Sequence, residues 1–183
     1  MVHTTPPSSN PKVAFETRYG RFVAQLFEKE APISTANLLT RVEKGLLANS
    51  SIYRIVTLAN QSDTVPAKIE VVQFGLPRSN TQEADPLPPI AHETTASTGL
   101  RHLDGTLSMA RLAPGTAGSA FFICIGDQPE LDFGGRRNPD GQGFAAFGQI
   151  VEGMDVVRAI FAQAEDTTDQ LSNPIPIDSV RRI

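Results

Sequence analysis

The chain has 183 residues, of which 40% are hydrophobic and 20% are charged, a length and composition that suit one globular domain. This composition excludes a chain that stays disordered for lack of apolar residues. The net charge of −4 gives no general attraction to nucleic acid or to an anionic membrane, and no apolar run approaches the roughly 18 residues of a membrane helix.

The first eleven residues, MVHTTPPSSNP, are polar and proline-rich. They predict a flexible leader over residues 1–11, followed by one domain over residues 12–183. The leader lacks the charged start and the apolar stretch of a secretory signal. Two locations stay open: cytoplasmic, or periplasmic or secreted if a signal was removed before this numbering begins.

Alternating or short apolar runs predict two strands, a helix, five strands, a second helix and a closing strand, in that order. The first helix begins at Pro32, since a missing N–H costs nothing in a first turn, and Gly45 follows its end. The second helix contains Met154, Val157 and Ile160. The predicted strands cover residues 13–17, 21–27, 51–56, 68–74, 106–110, 120–125 and 145–150, and the closing strand contains Ile175, Ile177 and Val180.

Residues 75–98 contain four prolines without periodicity and predict a long surface connection. Many short strands with only two helices favour a β-barrel or sandwich capped by helices. A barrel that carries a ligand would need an open lumen. The many bulky residues in these strands favour a filled interior instead.

The residue types exclude several kinds of site. Cys124 is the only cysteine, so an intrachain disulfide and a cysteine-based zinc site are excluded, and its apolar strand is typical of an inert thiol. Asp127, Asp132 and Asp140 are too widely spaced for a calcium loop. No Ser-His-Asp set can be assembled from the spacing. We therefore expect no metal site and no cofactor.

An arginine within an apolar strand is the most informative local feature. In SIYRIV, strand alternation predicts that Arg54 shares a face with Ile52 and Val56. A guanidinium beside an aromatic pocket recognises an amide without acid–base chemistry. Spacing alone favours the alternative of an exposed strand arginine in a loose ion pair. The same alternation predicts other pairs on shared faces: Val71 with Gln73, and Ala120 with Phe122.

Five segments occur in one order over nearly everything from Val13 to Ile183: LFEKEAPISTANLLTRVEKG, SIYRIV, GTLSMAR, PGTAGSAFFICIGDQPELD and GFAAFGQIVEGMDVV. Together they resemble the cyclophilin-type peptidyl-prolyl cis-trans isomerases. The loop LDFGGRRNPDGQGFAAFG is similar to the bacterial branch of that family. The resemblance implies a mainly β fold: an eight-stranded antiparallel β-barrel capped by two α-helices.

The resemblance also implies a function, which is rotation about Xaa-Pro bonds in support of protein folding. The alternative is a proline-binding module of the same fold with little or no turnover. The implied partners are proline-containing polypeptides, with no nucleic acid and no membrane, and the chain is expected to be a monomer. The implied catalytic residues are Arg54 and Gln73, and the implied substrate-binding residues are Phe122, Met109, Ala110, Arg111, Leu131, Phe144, Val71 and Ala120.

The chain departs from the best-known family pattern at several pocket positions. Tyr53 stands where a histidine usually precedes the arginine, and Glu70 and Val71 occupy the usual Phe-Met pair. Glu70 is also a candidate to neutralise Arg54 if their strands are neighbours. The other departures are Ala120 for a glutamine, Glu130 for a tryptophan and Phe144 for a histidine. A cyclosporin-type cyclic peptide is therefore expected to bind weakly.

Overall fold

The computed structural model describes residues 9–76 and 85–183, and these form one nine-stranded sheet in the order β8-β3-β4-β6-β5-β7-β2-β1-β9. Every strand pairing in it is antiparallel. The strands are β1 Lys12–Thr17, β2 Gly20–Leu26, β3 Ser51–Val56, β4 Val71–Gly75, β5 Thr106–Met109, β6 Ala120–Cys124, β7 Ala145–Glu152, β8 Gln170–Pro176 and β9 Ser179–Arg182.

The two edge strands of the sheet are consecutive in the chain. Only Ile177 and Asp178 separate β8 from β9. The Ile177 N–H donates to Ser50 O beside β3 (3.0 Å), and the Asp178 N–H donates to Glu16 O in β1 (2.8 Å). The sheet therefore curls until its two edges lie next to each other, which gives the predicted barrel-like architecture.

The strand count differs from the prediction by one. The single predicted closing strand is two strands, because the chain crosses from one sheet edge to the other at Ile177 and Asp178. Pro174 and Pro176 lie in edge strand β8, where a missing ladder N–H is tolerated. The strand predicted from residue 68 begins at Val71, since its ladder with β3 ends at the pair Val56–Val71.

The two predicted helices are α1 (Pro32–Glu43) and α3 (Met154–Phe161), and a four-residue helix, α2 (Thr95–Thr98), lies between them. Helix α1 has proline in its first turn, and its free N–H groups at Ile33 and Ser34 donate to the Glu93 carboxylate. Helix α2 is too short to show a period in the sequence. It corrects the prediction of a structureless connection over residues 75–98, of which 77–84 lie outside the described residues.

The interior of the barrel is filled by aromatic side chains. The rings of Phe15 and Phe22 stack with centroids 4.9 Å apart, and Phe74 packs on both Phe15 and Phe121. These rings and Phe147 are at most 1% exposed. The described residues therefore leave no lumen for the ligand-carrying alternative.

The predicted leader lies mostly outside the described residues, which begin at residue 9. Pro11, its last residue, is buried, and its carbonyl oxygen accepts a hydrogen bond from the Leu26 N–H (2.8 Å). Among the described residues, no helix has the length and apolarity needed to cross a membrane.

Candidate active site

A second apolar cluster lies apart from the barrel interior. Since strand side chains alternate between two faces, β4 and β6 send one set inward and another outward. Phe74 and Phe121 belong to the interior, whereas Val71 and Phe122 belong to the second cluster. The cluster consists of Val56, Ile69, Val71, Phe122, Cys124 and Leu131, with Ala110 and Phe144 packed against it.

Most of this cluster lines a hollow of about 550 Å³, and only Val56 and Cys124 lie outside that lining. One side of the hollow is apolar and the other carries charged and amide side chains, so it suits a ligand with both characters. Its lining residues are Tyr53, Arg54, Ile69, Val71, Gln73, Ala110, Arg111, Leu112, Phe122, Leu131, Arg137, Phe144, Asp169, Gln170, Leu171 and Pro174.

A β-bulge in β3 turns Arg54 towards the hollow. Ile52 pairs with Phe74, but Arg54 pairs with Gln73, so two steps along β3 oppose one step along β4. After the bulge, Ile55 points into the interior and Val56 into the second cluster. The prediction that Arg54 shares a face with Ile52 is therefore wrong, because the bulge reverses the alternation between them.

Two side chains hold the Arg54 guanidinium. Its Nε donates to Asp169 Oδ2 (2.8 Å), and its Nη1 donates to Gln73 Oε1 (2.9 Å). Gln73 is itself oriented, since its Nε2 donates to the Tyr53 hydroxyl (2.8 Å). Among the described residues, none accepts a hydrogen bond from Arg54 Nη2. The arginine is thus fixed in orientation and retains a donor for a ligand.

Phe122 and Phe144 form the aromatic wall of the hollow. Their rings meet edge to face with centroids 5.5 Å apart. The Phe144 N–H donates to Leu131 O (2.9 Å). Gly143 precedes it with φ of 61°, and a Cβ there would lie 2.5 Å from Leu131 O, so this close approach requires glycine.

The Arg111 side chain supports that wall from behind. It is buried, and it donates twice to Asp140 (2.9 and 3.0 Å) and twice to Gly143 O (2.9 and 2.6 Å). Its guanidinium lies 5.1 Å from the Phe144 ring centroid. The hydrogen bonds from Arg111 and from the Gln142 N–H lower the pKa of Asp140. Arg111 therefore fixes the loop that carries Phe144.

A buried Ser-His-Asp set lies behind Phe122. His102 Nδ1 lies 2.7 Å from Asp132 Oδ1, and His102 Nε2 lies 2.9 Å from Ser108 Oγ. Chain spacing did not predict this set, because only the barrel brings its members together. Ser108 is fully buried and no substrate can reach it, so the set is structural. The His102 ring stacks on Phe122 at 6.0 Å and supports the aromatic wall.

Eight of the ten predicted site residues line the hollow. The exceptions are Met109 and Ala120. Met109 points into the barrel interior, where its sulfur accepts a weak contact from Asn37 Nδ2 (3.9 Å). Ala120 lies at the start of β6, paired with Gly75, beyond the lining of the hollow. These two predicted positions are therefore corrected: neither contributes a surface to the hollow.

Two other expectations concern charged or reactive side chains. The partner of Arg54 is Asp169 and not Glu70, because Asp169 approaches from the segment that precedes β8. No sequence signal identifies Asp169, which is 115 residues from Arg54. Cys124 is buried, as its apolar strand predicts, and burial raises the pKa of its thiol.

Comparisons with known proteins agree on one family. The family model described as "Cyclophilin type peptidyl-prolyl cis-trans isomerase/CLD" matches residues 12–182. The chain is 30% identical over 173 residues to peptidyl-prolyl cis-trans isomerase CYP18-2 of Arabidopsis thaliana, covering 94% of this chain and 93% of the relative. It is 32% identical over 151 residues to peptidyl-prolyl cis-trans isomerase B of Escherichia coli, covering 81% and 82%.

Solved structures show the same fold. A crystal structure of a cyclophilin type peptidyl-prolyl cis-trans isomerase from Cryptosporidium parvum superposes with a TM-score of 0.74 at 20% identity, covering 95% of this chain and 98% of that one. A second crystal structure of that protein, determined in the presence of the dipeptide Ala-Pro, gives a TM-score of 0.71 at 21% identity and covers 93% and 97%.

Proposed function

This chain belongs to the cyclophilin-type peptidyl-prolyl cis-trans isomerase family, and we propose that Arg54 is the residue with which it catalyses rotation about Xaa-Pro bonds. The chain is a peptidyl-prolyl cis-trans isomerase that binds proline-containing polypeptides and assists protein folding. One observation carries the assignment of Arg54: its guanidinium is held in place at the edge of an apolar hollow and keeps one nitrogen free of described acceptors.

The reaction needs stabilisation of a twisted amide. The planar peptide bond resists rotation with a barrier of roughly 18–20 kcal/mol, and uncatalysed Xaa-Pro exchange takes tens to hundreds of seconds. In the twisted state, conjugation is lost and the proline nitrogen regains a lone pair. Only a contact that is stronger in this state than in the planar amide speeds the reaction.

Arg54 supplies such a contact. Its Nε and Nη1 are engaged by Asp169 and Gln73, so the head group need not reorganise during the reaction. Nη2 donates to the pyramidal proline nitrogen, which becomes a stronger acceptor in the twisted state because its lone pair is no longer delocalised onto the carbonyl oxygen. Each 1.36 kcal/mol of preferential stabilisation gives about tenfold in rate.

The apolar wall binds the proline ring. Phe122, Leu131 and Phe144 form a surface from which the ring excludes water, and Val71 extends it. Burial of a side chain of this size contributes on the order of 1–3 kcal/mol. Because both isomers bury the ring, this term sets affinity while the guanidinium sets rate.

The test is the isomerisation rate of a short Xaa-Pro peptide with native protein and with Arg54→Ala. We expect the variant to lose about ten- to a hundredfold in kcat/KM, since a hydrogen bond from a charged donor contributes about 1.5–3 kcal/mol. Arg158→Ala, which removes an exposed arginine paired with Asp104, is the matched control and is expected to keep native activity. Native kcat/KM in Arg54→Ala would refute the role of Arg54.

The same experiment decides the alternative of a binding module. A titration of the peptide measures affinity independently of turnover. If native protein binds the peptide yet leaves the uncatalysed rate unchanged, the hollow binds proline segments without catalysing their isomerisation.

We also propose weak binding of a cyclosporin-type cyclic peptide. Ala120 and Phe144 stand where a pocket glutamine and a pocket histidine are expected by resemblance, and Glu130 stands where some members have tryptophan. Glu130 is paired with Arg136 (3.0 Å). Competition of the cyclic peptide with a proline peptide measures this affinity. Inhibition at nanomolar concentration would contradict the proposal.

A further inference from the structure

Another arginine of the hollow, Arg137, has no carboxylate partner among the described residues. Arg137 comes from the loop between Leu131 and Phe144 and is half-buried. Its Nη1 donates to Gln61 Oε1 and to Ala67 O, both at 2.8 Å, which anchors the side chain to the segment before β4. Among residues 9–76 and 85–183, no carboxylate oxygen lies within 4.0 Å of its nitrogens, and none accepts from its Nε or Nη2.

The other arginines of the hollow are neutralised. Arg54 pairs with Asp169 and Arg111 pairs with Asp140. Among the described residues, Arg137 is therefore the one arginine of the lining without an ion-pair partner. Burial and the charge of Arg54 lower the pKa of Arg137, and the charge of Asp169 only partly offsets them. An anion bound there would stabilise the charged guanidinium by direct electrostatic attraction.

We propose that Arg137 forms a carboxylate-binding subsite beside the proline hollow, so that this isomerase prefers Xaa-Pro segments with Asp or Glu directly before or after the proline. The proposal rests on the proposed function of the hollow as the proline site. A guanidinium with Nε and Nη2 free presents two parallel donors, the arrangement that matches the two oxygens of a carboxylate. A lysine-rich or neutral segment gains nothing from this contact.

The position of Arg137 in the same hollow as Arg54 allows its contact to influence which Xaa-Pro segments are bound. Arg54 and Arg137 both line the same hollow, so an acidic side chain adjacent to the proline reaches Arg137 while the prolyl bond meets Arg54. The ion pair remains open to solvent, and its contribution is therefore moderate and weakened by salt.

The experiment compares matched peptides by exchange NMR, which reports rate and affinity without a coupling protease. The pairs are Ala-Glu-Pro-Ala with Ala-Gln-Pro-Ala, and Ala-Pro-Glu-Ala with Ala-Pro-Gln-Ala. We expect the Glu peptide to exceed its Gln partner by about three- to tenfold in kcat/KM for at least one pair at low salt. We expect this ratio to fall towards one in Arg137→Gln and to persist in Arg137→Lys.

Arg136→Gln is the control, because it removes the same charge from the adjacent position while Arg136 is exposed, paired with Glu130 and outside the hollow. It should keep the native Glu-to-Gln ratio. Ratios of one for both pairs in native protein would overturn the proposal, and so would a native ratio in Arg137→Gln. If native protein accelerates the isomerisation of no peptide, the proposed function is refuted. Peptide binding then tests the subsite separately: a lower dissociation constant for the Glu peptide than for its Gln partner would support it, and equal constants would overturn it.

Discussion

Arg54 is held by side chains that the chain delivers from two other elements. Gln73 comes from β4, and Asp169 comes from the segment before β8. The Asp169 carbonyl oxygen also accepts from the Ile55 N–H (2.8 Å), so its backbone is fixed beside β3. Asp169 is therefore a positioning residue, which keeps the guanidinium in one orientation through Nε.

At this scale, we predict that Asp169→Ala lowers kcat/KM by about three- to tenfold, because a mobile guanidinium must be ordered in the transition state. The kcat/KM of Asp169→Asn, which keeps an acceptor for Nε, should lie between that of Asp169→Ala and that of native protein. The measurement is kcat and KM on one Xaa-Pro peptide, with the melting temperature as a check on folding. A native kcat/KM in Asp169→Ala would show that Gln73 alone positions Arg54.

The loop between Leu131 and Phe144 is the element that completes the hollow. It carries Arg137 and leads into Phe144, and the ion pair between Arg111 and Asp140 fixes it to the barrel. Arg111 is almost fully buried, so the loss of Asp140 would leave a buried guanidinium with only carbonyl oxygens as acceptors.

At the scale of this element, Asp140→Asn is expected to lower the melting temperature by several degrees and to raise KM more than it lowers kcat, since Phe144 loses its fixed position. The exposed pair of Asp63 with Lys68 provides the control, and Asp63→Asn should change neither quantity. Melting curves and peptide kinetics check both variants. Equal effects of the two substitutions would contradict the support assigned to Arg111 and Asp140.

Two partly buried carboxylates make the stability of the whole molecule depend on pH. Burial raises the pKa of Asp132 and of Asp85, but hydrogen bonds from His102 to Asp132 and from Arg41 to Asp85 lower both pKa values below the ordinary value. A carboxylate whose pKa is lower in the folded state favours folding while it is ionised. This contribution is complete at neutral pH and is lost as the pH falls through the folded-state pKa values.

We therefore expect Asp132 and Asp85 to contribute an almost constant free energy of unfolding between about pH 7 and pH 5. At pH values below about 4, near the ordinary aspartate pKa and beneath it, this contribution decreases and the free energy of unfolding falls. Asp132→Asn should lower stability at neutral pH and make the acid loss shallower. Denaturant titrations at a series of pH values measure both. An unchanged acid slope in Asp132→Asn would exclude Asp132 as a source of the loss.

Local patterns in the sequence are enough to predict most elements. The runs SIYRIV and AFFIC and the helix that begins at Pro32 depend on period and turn chemistry within a few residues, and their positions are confirmed to within a residue or two. The order of the five segments along the chain is also enough to indicate the cyclophilin-type family. Both conclusions need only information that is contiguous along the chain.

The tertiary structure decided which face of each strand became a surface of the site. Alternation predicted that Ile52 shares a face with Arg54, and the family resemblance placed Met109 in the hollow. The bulge in β3 and the closure of the barrel send both Ile52 and Met109 inward. Asp169 joins Arg54 only because barrel closure brings β8 beside β3. Strand periodicity identifies two faces but not which one the closed sheet buries, and contacts between residues distant in sequence form only when the sheet has curled.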